Sequence, residues 1–246
     1  RARGITRIAL LTVSDATGQD GEKAALRAAA AAGMTVVGVE RFNPTDVGVA
    51  AQVARLKSAE PEAVVSWTTG TPLGTVLRGL KQGGLDVPVV AGTGNYSYAF
   101  MAQYASILPR ELEIPIGPGL VFDPRLRLDP AIAAAAREFA AAFAAAQVPA
   151  DTTGGAGWDA ALLAMRTLQK LGPAATAPQL RAAIQDLKGF GGIWGMYDFS
   201  RTPNRGVDGA LVTIARWNAA SGRFEAASQP GGGPLAASSL STSPAR

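Results

Sequence analysis

Between Arg7 and Tyr104 the chain alternates four times between an apolar run of strand length and a helix-forming stretch. That alternation restricts the fold more than any other feature. Successive strand–helix–strand units close in the right-handed sense and build a parallel sheet with helices on both faces. Arg7 to Val13 (RIALLTV) is the first strand, and Glu22 to Ala32 is an alanine-rich helix stopped at Gly33. Thr35 to Arg41 is the second strand; Val49, Val53 and Leu56 line a second helix, capped by Thr45 or Asp46. Ala63-Val64-Val65 starts the third unit, with Thr71 in the N-cap position ahead of Pro72 and Gly83-Gly84 ending its helix. Val87 to Ala91 is the fourth strand, followed by a short helix near Ser97 to Tyr104. The fold class is therefore α/β, with Rossmann-like parallel sheets.

Ligands of such sheets sit outside the carboxyl ends of the strands. Two of these ends, Trp67-Thr68-Thr69 and Gly92 to Tyr96, are rich in hydroxyl, amide and aromatic groups.

After Asp123 the pattern changes. Ile114 to Phe122 reads as a fifth strand, but Pro130 to Gln147, Trp158 to Leu171 and Pro178 to Lys188 read as three helices in succession, the last ended by Gly189. Leu162, Met165 and Leu168 share one face of the middle helix. Met196 to Phe199 is the one companion strand nearby, before Leu211 to Trp217 and a turn at Ser221-Gly222. Three amphipathic helices cannot cover their apolar faces with a single strand. The reading expects the missing cover to come from outside this sequence, on the order of 100 residues, a domain's worth. Gln229 to Arg246, a Gly/Pro/Ser tail, is expected to be disordered.

Composition narrows the chemistry. The 246 residues are 48% hydrophobic and 17% charged, enough for a sizeable core, and contain neither cysteine nor histidine. Thiol chemistry, disulfides, Cys/His metal sites and histidine acid–base catalysis are thereby excluded. A net charge of +4 comes from scattered arginines without a basic block, so no nucleic-acid partner is expected. No apolar run spans a bilayer, since Arg137 and Glu138 interrupt the longest alanine-rich stretch. Asp15 after the first strand has no acidic cluster or lysine to make a phospho-acceptor site, and Thr17 to Gly21 lacks the G-x-G-x-x-G and Walker patterns of phosphate loops. No nucleophile–base pair or metal set is visible, so no cofactor, no metal and no enzyme activity are expected.

The order of motifs resembles the type 1 periplasmic solute-binding proteins of branched-chain-amino-acid ABC transporters. The matching features begin with Asp15-Ala16-Thr17-Gly18-Gln19, the helix ending Ala32-Gly33, and Asp46 with Leu56-Lys57. They continue through VVSWTTGTPLG, Gly83-Gly84-Leu85 and Val89 to Gly94, then Gly157-Trp158-Asp159-Ala160, Gly189-Phe190-Gly191-Gly192 and Gly195 to Phe199. The resemblance implies two α/β lobes that close on a ligand. Residues 5–122 with 206–228 would form the C-terminal lobe and residues 124–205 the second half of the N-terminal lobe. It also implies a periplasmic location, a small-molecule solute and a membrane permease as partners, with no insertion into the membrane.

Carried over by position, the ligand contacts are Thr17, Gly18, Trp67, Thr68, Thr69, Thr93, Asn95 and Tyr96. Amino-acid binders of the family usually carry a carboxylate where Thr93 stands. A buried ammonium without one is costly. The expectation is a planar carboxylate, an aromatic acid or an amino-acid-like molecule, with its ring between Trp67 and Tyr96 and its polar groups bonded by Thr93, Asn95 and Thr68 or Thr69. A core or turn role is the competing reading for each of these residues. For the whole chain the alternative is a ligand-sensing domain of a receptor or transcriptional regulator on the same fold.

Overall fold

The structure, a computed structural model, describes residues 3–235. Its main sheet has seven strands in the order β2-β1-β3-β4-β5-β8-β9. The first five, β1 (Arg7–Val13), β2 (Thr35–Phe42), β3 (Ala63–Ser66), β4 (Val89–Ala91) and β5 (Leu112–Ile116), are mutually parallel. The last two, β8 (Thr213–Asn218) and β9 (Arg223–Ala226), add an antiparallel hairpin at the edge.

Alternation along β1 decides which helix covers which face. Ile8 and Leu10 point to one side, where they pack with Ala29 of α1 (Ala16–Ala31) and Ala63. Ala9, Leu11 and Val13 point to the other, toward Val53 and Leu56 of α2 (Ala50–Ser58) and Leu73, Val76, Leu77 and Leu80 of α3 (Thr71–Gly83). Burial on both faces is the reason β1 reads as a continuous apolar run. The short α4 (Tyr98–Gln103) adds Phe100 and Met101 to the second face. Two expected caps differ: Gly70 rather than Thr71 precedes α3, and Val49 precedes α2 while the Asp46 carboxylate accepts from Asn43 N.

Strand β5 stops at Ile116, six residues short of the expected Phe122. The chain leaves the sheet there in a 3₁₀ turn, Pro118–Leu120, held by Gly119 N donating to Ile193 O. It then forms α5 (Pro130–Ala145), α6 (Thr152–Leu171), α7 (Ala177–Gln185) and the antiparallel pair β6 (Lys188–Gly191) and β7 (Met196–Asp198) before returning to β8.

Three expectations are corrected in this region. Helix α6 starts at Thr152, not Trp158, because Asp151 caps it and close packing overrides the poor helix propensity of Gly154 and Gly155. A Cβ on Gly154 would lie 2.0 Å from the Phe143 ring. Helix α7 ends before Lys188, and Gly189 at φ +73° lets the chain turn into β6, so Met196–Asp198 has a strand partner. The hairpin mate β9 was read as a turn only.

The apolar stripe of α6 stays largely uncovered within the described residues: Met165 is 52% exposed, with Leu168 and Leu171 beside it, and α7 buries no residue. The supposed tail is also corrected in part. Gln229 accepts from Arg127 N and donates to Arg125 O, and Pro230–Gly232 makes a 3₁₀ turn. The remainder of that stretch, residues 236–246, lies outside the described residues. Among the described residues no helix is long and apolar enough to cross a membrane.

Candidate functional site

In the order β2-β1-β3-β4 the direction of strand addition reverses between β1 and β3. Loops on either side of such a switch point diverge and leave a crevice at the carboxyl ends of the strands. The residues after β1 are the first turn of α1. Those after β3 are Trp67 to Gly70, and the loop after β4 lies next along the sheet.

Thr17 is exposed in the first turn of α1. Gly18 beside it is buried, its N–H donates to Asp15 Oδ1 at 2.8 Å, and a Cβ there would fall 1.7 Å from Val13 O. Gly18 is therefore a packing residue that lets α1 approach the end of β1. One turn further, Gly21 faces Trp67 so closely that a Cβ would lie 2.0 Å from Cδ1 of the indole. Trp67 is half-buried, with one side of the ring on α1 and its carbonyl accepting from Val13 N.

Asn95 joins the next two loops. Its Oδ1 accepts from Gly70 N at 2.9 Å, and its Nδ2 donates to Thr68 O at 2.7 Å and Gly92 O at 2.9 Å. Its side chain is 1% exposed and serves the protein's own backbone, and Thr68 is buried with it. Thr93 is half-buried and donates from Oγ1 to Pro115 O, whereas Thr69 is exposed and packs on Gly94. Tyr96 is also buried, stacked on Phe224, with its hydroxyl donating to Leu120 O at 2.8 Å. Burial pushes the phenol well above its usual range. Tyr96 thus turns no exposed ring face toward Trp67. Exposed or half-exposed around the switch point are Thr17, Trp67, Thr69 and Thr93.

Two groups escaped the sequence reading. Thr152 N and Oγ1 both donate to Tyr96 O, and Tyr98 N donates to Asp151 Oδ2, so the loop after β4 is bonded to the amino end of α6. The only signal was an Asp-Thr pair ahead of glycines that read as a loop. Asp159, known at first only as part of a motif, is 1% exposed and accepts from Ile193 N, Trp194 N and Tyr197 Oη, each at 3.0 Å. Burial raises its pKa, against the three donated bonds. Trp158 packs edge-on against Phe139 and Phe143 rather than on the site. Among the described residues no acidic cluster has the arrangement of a metal site.

The rim has a consistent polarity. No Asp or Glu occurs in Ser66 to Gly70 or Gly92 to Ser97, and the nearby Asp15 carboxylate caps α1. Gly70 precedes α3 with no side-chain cap, although Leu73 N and Gly74 N donate to Gly70 O and Pro72 has no N–H to offer. Hydroxyls and an indole face with no acidic side chain favour a neutral or anionic planar group over a cation.

The family model described as periplasmic binding protein matches residues 1–223. No curated protein matches. An extracellular ligand-binding receptor from Rhodopseudomonas palustris HaA2 superposes with a TM-score of 0.77 at 21% identity, over 92% of this chain and 63% of its own. A periplasmic binding protein type 1 from Bordetella pertussis Tohama I gives 0.74 at 21%, over 92% and 62%. A leucine binding protein from Thermotoga maritima MSB8 gives 0.71 at 15%, over 92% and 61%. The chain thus spans a little under two thirds of each of these proteins. By its family match and its fold, the chain belongs to the type 1 periplasmic binding proteins.

Proposed function

We propose that the protein is the extracytoplasmic solute-binding component of an ABC importer and that it captures a small carboxylate-bearing solute, an aromatic acid or an amino-acid-like molecule, at the β1–β3 switch point. The observation that carries this reading is the rim itself: the half-buried indole of Trp67 beside the exposed hydroxyls of Thr17 and Thr69 and the half-buried Thr93, with no acidic side chain in the loops after β3 and β4.

The mechanism is hinge closure. Residues 5–122 with 206–228 form one lobe, and residues 124–205 belong to the other, whose remaining layer covers the apolar stripe of α6. A solute that touches both lobes favours the closed state by its differential affinity for that state. A membrane permease then receives the closed form in the periplasm, and the protein itself performs no chemistry. The leucine binding relative is in keeping with a branched-chain class of transporter.

Calorimetry on the full-length protein tests the reading with benzoate and leucine as probes. Benzoate binding that Trp67→Ala weakens about tenfold is the expected result, the loss of one stacking face. Preference for leucine over benzoate overturns the solute class, and binding untouched by Trp67→Ala overturns the site.

A further inference from the structure

A cavity opens beside the loop after β4. About 480 Å³ in volume, it is lined by Tyr98, Phe122, Pro149, Ala150, Arg223 and Phe224. That size is within the roughly 300–1,000 Å³ of small-molecule sites. Its walls come from α4, the segment after β5, the loop before α6 and the start of β9.

Its lining brings an exposed aromatic ring and an arginine to one cavity. Phe122, the residue just beyond the 3₁₀ turn, is 46% exposed, a large aromatic ring left facing water at a considerable cost in apolar surface. Trp217 and Phe224 sit edge-on to Tyr98 and hold its ring against the cavity wall. Arg223 is exposed at the mouth of the cavity, and no hydrogen bond or ion pair engages its guanidinium among the described residues. Burial keeps the Tyr98 phenol protonated, and Arg223 is near enough to oppose that shift. The Tyr98 hydroxyl, which also takes a backbone hydrogen bond from Phe224, and the Arg223 side chain thus line the same aromatic slot.

We propose that this cavity is a second binding site, for a small planar aromatic carboxylate. The ring lies against Phe122 and Pro149, and the carboxylate takes charge-assisted hydrogen bonds from Arg223 with the Tyr98 hydroxyl as a further donor. Neutral rings lack the partner for Arg223, and aliphatic acids lack the face for Phe122. Its lining shares no residue with the switch-point rim, and the site does not rest on the reading given above.

The test follows the backbone amides of Ala150 and Gly222 by NMR while the full-length protein is titrated with benzoate or its neutral counterpart benzamide. Benzoate is expected to shift both resonances, benzamide to shift them little, and Arg223→Gln to weaken the benzoate effect about tenfold or more, as loss of a charge-assisted bond implies. Trp67→Ala serves as the control for the rim, and the Ala150 and Gly222 shifts persist in that variant. The absence of shifts in the wild type, equal shifts with benzamide, or shifts that vanish in Trp67→Ala and survive in Arg223→Gln would each overturn the second site. The switch-point site fails on different evidence, the indifference of calorimetric benzoate binding to Trp67→Ala when Arg223→Gln has removed the cavity's contribution.

Discussion

The ring of Tyr96 stacks on that of Phe224 with centroids 4.0 Å apart and planes inclined by 23°. This contact fastens the loop after β4 to the edge strand β9, and the bond from the Tyr96 hydroxyl to Leu120 O fastens it to the exit from β5. Tyr96→Phe keeps the stack and orphans one buried carbonyl, so a loss of about 1–2 kcal/mol is expected in urea unfolding. Tyr96→Ala removes the ring as well and costs about 3–5 kcal/mol. Equal effects from the two variants would show that the stack contributes nothing.

Asn95 stitches the loops after β3 and β4 through three backbone partners. Asn95→Ala leaves a buried N–H and two carbonyls without that side chain, for an expected cost of about 2–4 kcal/mol. Asn95→Asp is worse, because its carboxylate faces the Thr68 and Gly92 oxygens where an amide donated. Thermal melts rank the two variants, and an aspartate variant as stable as the wild type contradicts the assigned orientation.

Gly21 leaves room for the Trp67 indole, and a Cβ would sit 2.0 Å from its Cδ1. Gly21→Ala therefore swings the ring away from α1. The expected signs are a red-shifted tryptophan emission and about 1–3 kcal/mol of lost stability from overpacking. Unchanged emission means that Trp67 does not rest on this helix.

Two buried carboxylates give opposite pH dependences. Hydrogen bonds from Arg125 hold Asp123 down at about 2, against an ordinary 3.8, and Ala226 N donates to it as well. Its contribution, about 2 kcal/mol, is complete above the unfolded value and is lost as pH falls through the folded one. Asp159 behaves in the reverse sense, because burial raises its folded pKa above 3.8. When pH rises from 3.8 through that higher value, the unfolded chain gives up its proton first and stability declines, then levels off. Stability curves of Asp123→Asn and Asp159→Asn against pH separate the two: the first variant loses part of the acid-side drop, the second the later decline. The second also orphans Trp194 N and is less stable at neutral pH by about 1–3 kcal/mol. An Asp159→Asn curve parallel to that of the wild type contradicts the raised pKa.

Much of the fold was legible because its signals are local. Strand-length apolar runs, alanine-rich helices and Gly stops repeated in the same order as β1 to α4. Misplaced boundaries fell where tertiary contacts outweighed propensity: at Gly154 against Phe143, at Gly119 under Ile193, and at Gly189, where a bulge replaced a helix turn. The candidate site was legible as a set of loops but not as a set of side chains. Asn95 and Tyr96 look like ligand groups in a polar loop, and their burial arises from partners 24 to 27 residues away, Leu120 and Thr68.

By itself the sequence determined the α/β class, the succession of parallel strand–helix units, the excess of apolar helix surface after Asp123, and the exclusion of thiol and histidine chemistry. These follow from residue type and short-range period alone. Only the tertiary structure decided that the strand order reverses between β1 and β3, that Trp67 keeps a half-exposed face while Tyr96 loses both, and that Arg223 meets Phe122 and Tyr98 at one cavity. Exposure, pairing and convergence are relations between residues far apart in the chain. No local pattern encodes them before the sheet has brought those residues together.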